Sequence, residues 1–129
     1  MAGYAIKNLK EIDSSAPEAV ADQMESRFGR KHLDSEHLGV SYFRYAPGFR
    51  APYGHRHREQ EEAYVVVGGS GRVRLDDEVV DLKRWDVVRV APEVVRGFEG
   101  GAEGLEIIAI GADRPQGGDG EMVRDWWTD

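Results

Sequence analysis

The chain has 129 residues with 24 acidic and 17 basic side chains, a formal charge of −7, and no cysteine. One domain of this length buries a core without cross-links, so a metal held here serves function rather than folding. The acidic balance argues against nucleic acid or an acidic membrane as partner, no apolar run approaches the roughly 20 residues of a membrane span, and the missing thiols exclude disulfides, thiolate zinc and a cysteine nucleophile. The expected partner is a small molecule or another subunit. Residues 1–7 lack an apolar signal segment, which makes the cytoplasm the expected location.

In chain order, Tyr4 to Leu9 alternates loosely and reads as a short edge strand. Ser15-Ala16-Pro17-Glu18 has the form of a capping box, and Val20, Met24 and Phe28 recur at helical spacing up to Gly29. This predicts a helix of about three turns, with Arg27, Arg30 and Lys31 suiting the negative end of its dipole. From Leu38 the character changes. Segments 38–45, 63–67, 71–75, 78–82, 86–90, 94–98 and 105–110 are short, rich in β-branched or aromatic residues, and separated by Pro, Gly or Asp. Such a run without helices predicts antiparallel β structure, which a small barrel or two-sheet jelly roll closes without long free edges.

Asp76-Asp77 reads as a tight hairpin and residues 100–104 as a looser one. Gly68-Gly69-Ser70-Gly71 reads as a turn between two strands; no helix follows it, so it is no nucleotide cradle. Residues 115–120 form a flexible connector, after which Trp126 and Trp127 are expected to dock on the barrel or on a second subunit. The expected division is an extension over 1–37, a barrel over 38–112 and a tail over 113–129.

His55-Arg56-His57 is followed by Arg58-Glu59-Gln60-Glu61-Glu62. Imidazoles two residues apart project from one face of an extended strand, and a carboxylate beyond the next turn can return to them. A single histidine is usually a surface or hydrogen-bonded residue, and His32 and His37, outside the cluster, are read that way. Only the combination points to a metal.

Gly48, His55-x-His57, Glu62 and Gly69 together resemble the first motif of the cupin superfamily, small jelly-roll barrels that often hold a divalent metal between two His, one Glu and a further His. That pattern selects Glu62 over Glu61 and turns Tyr64 and Val66 inward. Residues 85–98 resemble the second motif, with Trp85 in place of its first glycine, Glu93 in place of the turn glycine and Arg96 where the fourth ligand stands. The resemblance spans Leu38 to Gly111. It implies an all-β cupin jelly-roll barrel, with the N-terminal helix and C-terminal tail appended. It also implies Fe, Mn or Zn on His55, His57 and Glu62, and a homodimer, since cupins commonly pair.

Arg96 sets two readings against each other. A guanidinium cannot ligate a metal, and at about 4 Å from a divalent ion it is repelled by on the order of 8 kcal/mol at an effective dielectric near 20. Either Arg96 turns aside or pairs with Glu62, leaving a two-His-one-carboxylate face for an oxygenase or isomerase acting on a polar or anionic substrate. Or the site is metal-free, Arg96 pairs Glu62, and the cavity binds or senses a small anion. A homodimeric scaffold with a vestigial cavity is the third reading.

If Arg96 faces inward, Val94 and Phe98 do too, and one alternation of residues 40–45 supplies Tyr42 or Phe43. The expected ligand contacts are Arg96, Tyr42, Tyr64 and Phe98. Arg44, Arg72, Arg74 and Arg89 read as surface ion pairs or as a clamp for an anion beside Arg96.

Overall fold

The computed structural model describes residues 3–128. Eight antiparallel strands form one curled sheet: β1 (Met24–Phe28), β2 (Gly39–Tyr45), β3 (Tyr53–His57), β4 (Glu62–Leu75), β5 (Glu78–Lys83), β6 (Val87–Val90), β7 (Arg96–Gly111) and β8 (Gly120–Arg124). β4 and β7 are its spine, paired from Glu62↔Gly111 to Leu75↔Arg96. β5 and β6 pair β4, β2 and β3 pair β7, and β1 and β8 extend the sheet beyond β2 and β3.

The period-two pattern sends Tyr64, Val66 and Val73 from β4 and Phe98, Leu105 and Ile107 from β7 into one core. Each fully buried apolar side chain of this size contributes roughly 1.5–3 kcal/mol before conformational entropy is set against it. Among the described residues, no helix is long and apolar enough to cross a membrane.

Two glycine-rich segments that read as turns are bends inside single long strands. Residues 68–71 lie within β4 and 100–104 within β7, and the pairing shifts register between Val66 and Gly68 and again between Gly69 and Gly71. Glycine here permits a bulge rather than a reversal. Gly69 (φ 66°) and Gly104 (φ 82°) adopt left-handed backbone, and a Cβ on Gly69 would collide with the Gly104 carbonyl. The bends let a flat ladder curl round a cavity. The Asp76-Asp77 hairpin forms as expected, with Asp76 at φ 51° and Leu75 opposite Glu78. Trp85 keeps a φ of 76° where the cupin motif has glycine, a conformation costly for a bulky side chain.

The expected N-terminal helix is only a 3-10 turn at Glu18–Val20, without a side-chain cap. Met24–Phe28 instead pairs with β2 from Met24↔Tyr45 to Phe28↔Ser41. Met24 and Phe28 fit a period of two as well as four, and a short helix is marginal without tertiary support, whereas β2 offers a complete ladder. The serines serve that ladder: the Ser26 amide donates to Ser14 Oγ (3.0 Å) and the Ser15 amide to the Ser26 carbonyl (2.7 Å). Tyr4 to Leu9 forms no strand, and a 3-10 turn at Leu9–Glu11 follows it, capped by Asn8.

The tail docks on its own barrel. β8 pairs β3 from Tyr53↔Arg124 to His57↔Gly120. Trp126 then lies over Gly54 and Gly97, where an added Cβ would stand 2.9 and 2.8 Å from the indole, and the Arg74 guanidinium stacks 4.2 Å from its ring centroid. Trp127 donates its indole N–H to the Ala51 carbonyl (3.1 Å) under Arg50.

Candidate metal centre

Adjacent strands bring the histidines and the glutamate together. His55 and His57 leave one face of β3, two residues apart, and Glu62 opens β4 after the intervening loop. Their ligand atoms, two imidazole nitrogens and a carboxylate oxygen, lie within 4.8 Å of one another. They line a cavity of about 560 Å³, whose walls also carry Phe43, Tyr45 and Phe98.

Glu62 is the hub. Its Oε1 lies 3.1 Å from His57 Nε2 and 3.4 Å from His55 Nε2, and accepts a short hydrogen bond from the Tyr64 hydroxyl. Burial opposes ionisation of Glu62, yet the hydrogen bonds from His55, His57 and Tyr64 outweigh it and hold the carboxyl far below the usual range. Burial and the charge of Glu62 push the Tyr64 phenol well above its ordinary value, so it remains a proton donor.

Asp119, in the segment before β8, completes the network. It is buried, its Oδ2 accepts from the amides of Glu59 (2.6 Å) and Gln60 (2.9 Å), and its Oδ1 lies 2.8 Å from His57 Nδ1. Burial would raise its pKa, but those amides and His57 bring it down to about 2. An ionised Asp119 makes His57 Nδ1 the protonated nitrogen and leaves Nε2 facing Glu62, the orientation a metal-ligating histidine needs. Two imidazole nitrogens and one carboxylate oxygen so arranged fit a divalent transition ion.

Arg96 is fully enclosed, opposite His55 in the β3–β7 ladder. Its Nη1 donates to the carbonyls of Val94 (2.9 Å), Pro92 (3.2 Å) and His55 (3.4 Å). Its Nη2 stands 3.6 Å from Glu62 Oε1, and among the described residues Nε and Nη2 have no hydrogen-bond acceptor. Half of the guanidinium is thus turned to backbone, while the other half faces the carboxylate without making a full hydrogen bond.

Tyr64 and Phe98 line the cavity, and so does Arg96. Tyr42 does not: the opposite alternation of β2 faces in, with Ser41, Phe43 and Tyr45, while the Tyr42 hydroxyl donates to Glu106 (2.5 Å) on the far side. Arg44 pairs Glu25, Arg72 pairs Glu99, Arg89 pairs Glu61 and Arg74 stacks on Trp126, so none of the four is a cavity clamp. Sequence reasoning missed Asp119, which sits in a connector read as flexible. The one available signal was a lone carboxylate among glycines, indistinguishable from an ordinary turn residue.

Asp119→Asn is expected to weaken metal binding roughly 10–100-fold, the usual cost of losing an outer-shell partner. Equilibrium dialysis of the ion measures it, and unchanged affinity would deny Asp119 that role.

The stability of the metal-free protein should depend on pH with two signs. Asp119, depressed from 3.8 to about 2, contributes stability above pH 3.8 that is lost as pH falls through about 2. Burial lowers the His57 pKa, but the hydrogen bond and charge of Glu62, then Asp119, outweigh it and raise it above 6.5. That stability is present below pH 6.5 and lost as pH rises through the raised value. Denaturant unfolding should show His57→Gln costing more at pH 6 than at pH 9; an equal cost at both would contradict the histidinium.

A family model described as the cupin domain matches residues 41–111. Solved structures with the same fold include a cupin protein from Bacteroides fragilis, with 20% identity over 88% of this chain and 86% of that one at a TM-score of 0.72. A sugar phosphate isomerase of the cupin superfamily from Silicibacter pomeroyi matches at 18% identity, over 88% and 86%, with a TM-score of 0.65. A variant of oxalate decarboxylase from B. subtilis matches at 18% identity, over 93% of this chain and 33% of that one, with a TM-score of 0.71. No curated protein matches the sequence.

Proposed function

We propose that this chain, which belongs to the cupin family, is a metal-dependent enzyme acting on a polar or anionic small molecule, with a divalent ion (Fe, Mn or Zn) held by His55, His57 and Glu62. The observation that carries this reading is the convergence of three ligand atoms within 4.8 Å in the wall of a cavity large enough for a small molecule. When bound, the ion supplies Lewis acidity toward a substrate oxygen or a place for dioxygen, as an isomerase or an oxygenase requires.

The chain's own groups have separable tasks. Asp119 orients His57, Tyr64 holds a proton at Glu62 Oε1, and the aromatic wall excludes water. Two structural neighbours, the sugar phosphate isomerase and the oxalate decarboxylase, are named as enzymes of small molecules, which supports an enzyme over a scaffold. Elemental analysis after reconstitution with Fe(II), Mn(II) or Zn(II) is expected to find about one equivalent, lost in His57→Ala; under about a tenth of an equivalent of every ion would sink the proposal.

One observation favours a second reading. The 3.6 Å approach of Arg96 Nη2 to Glu62 is the contact that a metal-free binding pocket would use. Retained ligand binding with no metal uptake would support that reading. Assembly as a homodimer belongs to the same proposal, and light scattering on the intact chain reads it directly.

A further inference from the structure

Most arginines of this acidic chain are committed to carboxylates. Arg27 and Arg44 share Glu25, Arg50 and Arg72 share Glu99, and Arg89 holds Glu61. Arg30 and Arg114 differ. Both line the cavity that holds His55, His57 and Glu62, and among the described residues neither lies within ion-pair distance of a carboxylate. The nearby Asp113 attracts Arg30 but is itself 3.0 Å from His37. Lys31, next to Arg30 in the chain, lines the same cavity, so three cations border the end that these segments form.

That end adjoins the metal-centre side of the barrel. Arg30 donates from Nη2 to the Ala112 carbonyl (3.1 Å), just beyond Gly111, which pairs Glu62. Arg114 belongs to the segment leading to Asp119, against Gly118. Asp113 does not cancel the repulsion between these two guanidiniums facing one cavity, because burial and then Arg114 lower the Arg30 pKa despite it. An oxyanion between them would relieve that repulsion, and guanidinium forks match carboxylate and phosphate oxygens. The rest of the lining sets Phe28, Phe43, Met24 and Met122 beside the polar Asp13 and Ser41, and Phe28 and Met122 are 49% and 59% exposed.

We propose that Arg30 and Arg114 form the anion-binding end of the cavity, and that its ligand is an amphiphilic oxyanion whose carboxylate or phosphate lies on this pair while an apolar body follows the aromatic wall toward His55, His57 and Glu62. The assignment deepens the functional reading in taking the cavity as a small-molecule site, but does not depend on the metal. Arg96 is not this clamp, because its Nη1 is already taken by three carbonyls and its free edge faces Glu62.

The test is calorimetric titration of chelator-treated, metal-free protein with 4-phenylbutyrate, 2-phenylethyl phosphate and the neutral 4-phenylbutanol. At least one oxyanion is expected to bind about 10-fold or more tightly than the alcohol, the value of a charge-assisted hydrogen bond at a partly exposed site. The double variant Arg30→Gln/Arg114→Gln should lose that preference while keeping its affinity for the alcohol and its thermal melt. Arg30→Lys/Arg114→Lys, which keeps charge but not the fork, should retain part of it. Equal binding of oxyanions and alcohol by the unaltered chain, or a preference that survives the glutamine double variant, would overturn the proposal. A preference lost with glutamine, in a protein that takes up no metal, would uphold the anion site while removing the metal centre.

Discussion

Glu62→Gln is expected to abolish metal binding and to destabilise the metal-free protein by about 3–5 kcal/mol, the cost of removing one partner from a buried charge pair. Glu62 is 14% exposed in its side chain and Arg96 not at all. The carboxylate is the negative group facing an enclosed guanidinium whose Nε and Nη2 have no acceptor among the described residues. It also accepts from His55, His57 and Tyr64. An amide keeps the shape but surrenders the charge, leaving Arg96 buried and uncompensated and turning an NH2 or a weaker oxygen toward the donors. Denaturant unfolding monitored by tryptophan fluorescence measures the loss. A change below about 1 kcal/mol, the range of an exposed ion pair, would show that Glu62 and Arg96 do not depend on each other.

The second large effect is a gain. Arg96→His is expected to raise the affinity for a divalent transition metal at least about 10-fold, because it removes a unit charge beside Glu62 and adds an imidazole donor. Part of the repulsion between the guanidinium and the ion is already avoided, because Nη1 is directed at the carbonyls of Pro92 and Val94. Those carbonyls lose their donor in the variant, so its metal-free form should be less stable than the parent even as its metal-bound form gains. Competition against a chromophoric zinc chelator reads the affinity, and thermal melts with and without metal read the exchange. Unchanged or weaker affinity in a folded variant would mean that Arg96 does not mask a fourth ligand position and that the pocket is built round the ion pair.

The contrast between these two substitutions explains what could be read from the chain alone. The barrel was legible because its strands obey a period of two and its turns carry Asp, Gly and Pro, all local properties. The convergence of His55, His57 and a following glutamate was legible because consecutive elements bring them together across one short loop, and the cupin resemblance singled out Glu62. Tyr42 was misplaced because parity fixes that alternate residues share a face, not which face; β2 is oriented by its neighbours, and they turn Phe43 inward. The spacing of Val20, Met24 and Phe28 predicts a helix, but Met24 and Phe28 also fit a period of two, and the edge of β2 made the segment a strand. The glycine clusters at 68–71 and 100–104 announce unusual backbone, but a bulge and a reversal use the same residues.

By itself the sequence determined an all-β chain and, through its resemblance to the cupin motifs, a barrel with His55, His57 and Glu62 as candidate metal ligands and a cation at the fourth position. The first follows from composition and periodicity, the rest from the resemblance those motif spacings carry. The tertiary structure decided the rest: Asp119 behind His57, the tail folded along β3, the enclosure of Arg96, and the placing of Arg30 and Arg114 in the lining of one cavity. Each of these joins residues far apart in the chain, and Asp119 is 62 positions from His57. No local pattern encodes such a contact, because it exists only once the curled sheet has fixed which backbone segments lie side by side.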